Sequence, residues 1–127
     1  MRGPIETVDE LVQAINTADL ERAVATYESD AVFVAQPGQI VRGTMQVREA
    51  LNGFMAIRPT LRTEARQLIE GEGMALYIGR WSLTGTDPAG KAVAMSGEST
   101  DVLRRQSDGR WLIALDNPWG VQVLPSR

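Results

Sequence analysis

Val8, Leu11, Val12 and Ile15 recur at helical spacing, and Thr7 followed by Glu10 has the form of a capping box, so a first helix is expected from Thr7. Leu20, Ala23, Val24 and Tyr27 restart the pattern behind Asp19, a common N-cap residue, and predict a short second helix ending at Tyr27. The pattern then turns β-like over 32–34, breaks at Pro37 and Gly38, and resumes at Ile40 and Val41, which reads as strand, turn and strand fragment. Val47, Leu51, Phe54 and Met55 describe a third amphipathic helix, opened by Thr44 and closed by Pro59.

From Leu61 onward the chain reads as extended stretches: "LRTEARQLIEGEG", "MALYIGRWSLTG", "KAVAMSGESTDVLRRQ" and "RWLIALDN". The breaks "TDPAG" and "SDG" supply glycine where a hairpin needs positive φ. The expected architecture is α+β: two or three helices on one face of an antiparallel sheet of about four long strands, with residues 1–127 forming one domain.

Composition narrows the chemistry. Thirteen basic and sixteen acidic residues give a net charge of −3, and no basic cluster exceeds Arg104 and Arg105, so nucleic-acid binding is not expected. The absence of cysteine rules out disulfides and thiol nucleophiles, and the absence of histidine removes the commonest general base and metal ligand. Chemistry must rest on Asp, Glu, Tyr, Lys, Arg or an external group, and neither metal nor cofactor is expected. The first fifteen residues include Glu6, Asp9 and Glu10 and lack the form of a signal peptide or membrane anchor. A cytoplasmic protein without membrane contact is the expectation.

The progression from "NTADLERAVATYESDAVFV" through "PGQIVRGTMQVREAL" to "SDGRWLIALDN" resembles the nuclear transport factor 2-like superfamily, in particular its SnoaL-like and ketosteroid-isomerase-like branch. The resemblance implies a cone-shaped, cystatin-like fold: a strongly bent sheet wrapped around the N-terminal helices, an apolar pocket at the open end, and commonly a homodimer. Superfamily members include isomerases, cyclases, dehydratases, epoxide hydrolases and non-enzymatic modules, so function has to be read from individual residues. The steroid-isomerase pattern puts its helix-one phenol at Leu11, its proton-shuttling carboxylate at Ala35 or Gln36, and its oxyanion-binding aspartate at Asp101. Two of the three groups are missing, and that isomerase mechanism is not expected.

Asp101 is the candidate catalytic residue. Facing the cone, it would have a pKa raised by desolvation and act as donor or general acid; facing solvent, it would pair with an arginine on a neighbouring strand. A three-residue "SDG" loop with Gly109 left-handed pairs Gln106 with Arg110, sets Asp101 opposite Leu115, and puts Trp111, Ile113, Leu115 and Asn117 on the face of Ser99, Asp101 and Leu103. A two-residue loop would instead set Asp101 opposite Asp116. In the first register Asp116 points away, as a structural or dimer-face residue.

The candidate substrate-binding residues are Tyr27, Phe33, Phe54, Trp81, Leu103, Leu115, Asn117 and Trp119, with Tyr27 and Asn117 as orienting groups. Met45 and Met55 are expected in the core. Tyr27 suits either core packing or ligand contact, and Trp119 either caps the pocket or packs on the sheet rim. Arg80 and Trp81 alternate, so one of them faces inward; an inward Arg80 beside Asp101 would resemble the pairing in the superfamily's epoxide hydrolases. Leu76 and Ile78 give the opposite sheet face an apolar character that suggests a homodimer through the sheet.

The expected ligand is a small hydrophobic molecule carrying one or two oxygens. Catalysis would be acid–base isomerisation, cyclisation or dehydration without a metal. The alternative is a non-catalytic ligand-binding or homodimeric interaction module.

Overall fold

In the computed structural model, which describes residues 3–126, helix α1 spans Pro4–Asn16 and starts three residues earlier than expected. Residues 1, 2 and 127 of the expected domain lie outside the described residues. Pro4 suits a first helical position because it has no N–H to leave unsatisfied, and the Gly3 N–H donates to Glu6 Oε1 at 3.0 Å. Thr7 lies inside the helix rather than capping it. Its hydroxyl donates to the Trp111 carbonyl at 2.7 Å, tying α1 to the sheet.

Helix α2 covers Leu20–Val24, with the Asp19 side chain accepting from the Arg22 N–H at 3.1 Å as an N-cap. It ends before Tyr27. The Thr26 hydroxyl donates to the Ala23 carbonyl at 2.7 Å, and Tyr27 opens strand β1, Tyr27–Gln36. Strand β2 (Gln39–Arg42) leads into α3 (Gly43–Met55). The remaining strands are β3 (Thr60–Gly71), β4 (Met74–Thr86), β5 (Ala92–Arg105) and β6 (Trp111–Asp116), followed by a 3-10 turn, Gly120–Val123.

Among the described residues the strands form a six-stranded sheet in the order β2-β1-β6-β5-β4-β3. The sheet is mixed rather than antiparallel throughout, because β1 runs parallel to β6. This pairing covers the edge that β6 would otherwise expose, and it draws Ala31, Phe33 and Ala35 of β1 into the core. The helices lie against the concave face, where Ala14, Val47, Leu51, Leu103 and Ile113 are almost entirely buried. Met45, expected in the core, is 76% exposed on the outer side of α3. No helix among the described residues is long and apolar enough to cross a membrane.

The β5–β6 hairpin decides the site. Gly109 takes φ +90° and the Gln106 N–H donates to the Arg110 carbonyl at 2.7 Å, as a three-residue loop requires. Arg105 pairs with Trp111, Arg104 with Leu112 and Leu103 with Ile113, and then a bulge intervenes: Val102 lies opposite Leu115. Ala114 is the extra residue on β6. A one-residue shift inverts the facing of everything beyond it, so Asp116 arrives at the level of Asp101 on the concave side and Leu115 turns outward. The expected Asp101–Leu115 pairing is corrected accordingly.

Candidate functional site

Between α1, α3 and the concave face of the sheet lies a partly open cavity of about 110 Å³. Its walls are mainly apolar, formed by side chains such as Leu11, Ile15, Phe33, Phe54, Trp81 and Trp119. Trp81 and Trp119 meet edge to face, with centroids 5.4 Å apart. Both indole N–H groups are spent on carbonyls, Trp81 on Pro118 at 2.7 Å and Trp119 on Ala35 at 3.1 Å, so these rings present carbon to the cavity. Gly120 makes this corner possible: its φ is +53°, and a Cβ there would stand 2.2 Å from the Glu98 carbonyl oxygen.

The polar end is built from three chain-distant residues. The Tyr27 hydroxyl donates to Asp116 Oδ2 at 2.5 Å, and Asp101 Oδ1 accepts the Asn117 N–H at 2.9 Å. The two carboxyl groups are close enough to influence each other's ionisation directly. Both residues are 7% exposed. Two neighbouring carboxylates buried away from water resist both being ionised, so the pair favours keeping one proton.

Burial, reinforced by the neighbouring Asp116 charge, pushes the Asp101 carboxyl well above the usual carboxylate range. Burial also raises Asp116, against the opposing effect of hydrogen bonds from Tyr27 and Asp101. Tyr27 is raised well above an ordinary phenol, first by burial and then by the Asp116 charge, and stays protonated. Of the two carboxyls Asp101 is therefore the one that keeps a proton more readily, while the Tyr27 phenol donates to Asp116.

The structure gathers Asp101, Tyr27, Phe33, Phe54, Trp81 and Trp119 around the cavity. Leu103 lies in the core, fully buried, and is not part of the wall. Leu115 is 36% exposed on the outer face, because the Ala114 bulge rotates it away. Asn117 does not line the cavity either. Its Nδ2 donates to Thr100 Oγ1 at 3.1 Å and to the Gly120 carbonyl at 3.2 Å, which fixes the closing turn. Its contribution to the site is the backbone N–H on Asp101. Of Arg80 and Trp81, Trp81 faces inward; the Arg80 guanidinium is an exposed partner of Glu98 at 2.9 Å, away from Asp101.

Asp116 is the functional group that sequence reading placed on the wrong face. The unbroken apolar run "WLIAL" before it lacks the alternation that would have fixed its parity. Among the described residues, no group of three or more His, Cys, Asp or Glu side chains is placed to hold a metal ion.

The chain is similar over 88% of its length to a nuclear transport factor 2-like superfamily protein from Salmonella enterica, with TM-score 0.79, 18% identity and 84% of that chain covered. It is similar to a candidate ketosteroid isomerase from Shewanella frigidimarina, with TM-score 0.76, 19% identity, and 87% and 90% of the two chains covered. A Catenulispora acidiphila protein in complex with S-DNPA matches with TM-score 0.73 and 22% identity over 87% of this chain and 85% of that one. At these identities the likeness is one of fold. No curated protein matches in sequence. The SnoaL-like domain family matches residues 8–113, which include Asp101 but stop short of Asp116; the chain belongs to that family, and its fold is the one it shares with nuclear transport factor 2-like structures.

Proposed function

We propose that the whole chain works as one domain that binds a small apolar molecule bearing one or two oxygens, and that Asp101 and Asp116 move a proton to or from it. The observation carrying this reading is the pair of buried, neighbouring carboxyl groups at the end of an otherwise apolar cavity. A buried carboxyl pair is a costly way to fill a core, and hydrophobic residues would fill it more stably. What the pair provides is acid and base side by side: Asp101 has a proton to give, and Asp116 can take one. Tyr27 holds the Asp116 carboxylate in place. The S-DNPA complex of the Catenulispora protein, which shares this fold, supports a ligand-binding reading.

Such a pair suits isomerisation, cyclisation or dehydration next to an oxygen function. Leu11, Ala35 and Gln36 offer neither phenol nor carboxylate, so the proton route would run through Asp101 and Asp116 rather than through the steroid-isomerase set. Indan-2-one in D₂O provides a test. Removal and return of its α-hydrogens exchanges them for deuterium, seen as loss of the methylene signal by proton NMR. The wild-type chain is expected to accelerate exchange over buffer, and Asp101→Asn to return it to the buffer rate. Binding without accelerated exchange would make the cavity a non-catalytic ligand site.

A row of side chains on the outer face favours a homodimer as well. Val32, Leu115, Val102, Leu76 and Ile69 follow one another across five strands by register, with Ile69 54% and Leu115 36% exposed. An apolar row of this extent is best covered by a second copy. Sedimentation equilibrium should give twice the chain mass, and Leu76→Glu should restore the monomer; a monomeric wild type contradicts the dimer.

A further inference from the structure

Tyr77 lies opposite Asp101 across the β4–β5 ladder and is 2% exposed. It lines the cavity, and its hydroxyl has no hydrogen-bond partner among the described residues. The ring folds back along its own strand. A Cβ on Gly79 would stand 2.6 Å from the ring and 2.7 Å from Oη, so only glycine at that position lets the hydroxyl rest there. Gly79 itself lines the cavity.

The polar groups nearby do not take the hydroxyl proton. Ser99, opposite Gly79, donates its hydroxyl to the Gly79 carbonyl at 3.3 Å, and its oxygen does not reach the Tyr77 hydroxyl. Arg66, opposite Gly79 on the other side, is ion-paired through Nη1 with Asp9 Oδ1 at 2.6 Å. A guanidinium can only donate, so even its closest approach to Oη leaves the phenolic proton without an acceptor, and its charge makes that proton the better donor. A buried donor without an acceptor is a cost that folded chains avoid, and it calls for an explanation at the site where it occurs.

We propose that the Tyr77 hydroxyl is a second polar anchor of the cavity and donates its hydrogen bond to a carbonyl oxygen of the bound molecule. The ligand class becomes a small, otherwise apolar ketone. With the oxygen over Gly79, the carbon next to the carbonyl falls toward the Asp101–Asp116 pair, whose Asp101 lies opposite Tyr77. The proposal rests on the cavity's being a ligand site and adds which oxygen function is recognised and by what.

The test uses indan-2-one and its hydrocarbon isostere 2-methylideneindane, which puts a methylidene group where the ketone has oxygen. Both are titrated by NMR into the wild type and into Tyr77→Phe, which removes the hydroxyl and keeps the ring. Tyr77→Phe should weaken indan-2-one about tenfold and leave 2-methylideneindane within twofold, the signature of one lost neutral hydrogen bond. Because the hydroxyl proton has no acceptor in the free protein, the variant's melting temperature should stay close to that of the wild type.

Equal effects on the two probes, or none on either, would overturn the Tyr77 anchor while leaving the cavity as a binding site. Failure of both probes to bind the wild type would overturn the cavity reading and the anchor with it. A melting temperature several degrees lower in Tyr77→Phe would show that the hydroxyl serves the fold and would also overturn the proposal.

Discussion

Replacing Asp116 by leucine is expected to destabilise the folded chain by about 2–5 kcal/mol, while Asp101→Asn stays within about 1 kcal/mol of wild type at pH 6. Leucine fills roughly the same volume but accepts nothing. It leaves the Tyr27 hydroxyl and the Asp101 carboxyl, both buried beside Asp116, without that acceptor. Each orphaned donor costs about 1–3 kcal/mol, and a cluster broken at one member keeps that cost, which only replacing every member would remove. Asparagine at position 101 instead mimics the protonated acid. Its amide nitrogen can donate to Asp116, and its oxygen can keep the Asn117 N–H now held by Asp101 Oδ1 at 2.9 Å. Urea denaturation of the two variants at one pH separates these cases. Equal losses from both would mean that Asp101 is ionised.

The second large effect is a pH dependence opposite in sign to ordinary acid denaturation. Asp101 and Asp116 both have folded-state pKa values raised above the ordinary 3.8, Asp101 well above it, and burial is the leading cause for each. Between 3.8 and the raised values the folded chain binds more protons than the unfolded chain. Their stabilising contribution is therefore fully present below 3.8 and is lost as pH rises through the folded values. Where the difference is one proton, the slope is about 1.4 kcal/mol per pH unit. The wild type should thus gain stability from pH 8 down to pH 5, and Asp101→Asn should flatten that gain. Asp108, lowered chiefly by its hydrogen bond from the Arg110 N–H, contributes in the opposite sense but is common to both proteins. Urea midpoints of the two proteins across this range, compared as a difference, isolate the pair.

Much of the architecture was legible in the sequence because periodicity reports burial directly. The stripe on α1, the Asp19 cap, the Pro37–Gly38 turn, the third helix and the glycine-bearing hairpins all follow from local chemistry that tertiary packing did not override. Tyr27 was misread because position 27 continues the spacing of Leu20, Ala23 and Val24. A residue seven positions on faces the same core whether the chain stays helical or turns into a strand. The parallel β1–β6 pairing was out of reach because it joins segments about ninety positions apart and has no turn to announce it.

The site was legible to a smaller degree. Asp101 stood out as a carboxylate within an apolar strand, and the aromatic residues around it as apolar bulk near the open end. Asp116 depended on a bulge at Ala114 inside a run with no alternation, so nothing local fixed its face. Leu115 and Asn117 were displaced by the same shift. Tyr77 shares the strand parity of Trp81, but its want of a partner depends on where Arg66, Ser99 and Gly79 fall in space.

The account turns on one proton held between Asp101 and Asp116 at neutral pH. Carbon-13 NMR of the aspartate side-chain carboxyl carbons, assigned by Asp101→Asn and Asp116→Asn, observes it directly. The Asp101 carboxyl is expected still to show the shift of a protonated acid at pH 7, with Asp101 and Asp116 titrating as linked steps above the ordinary carboxylate range. Two independent carboxyl signals, both fully ionised by pH 5, would contradict it.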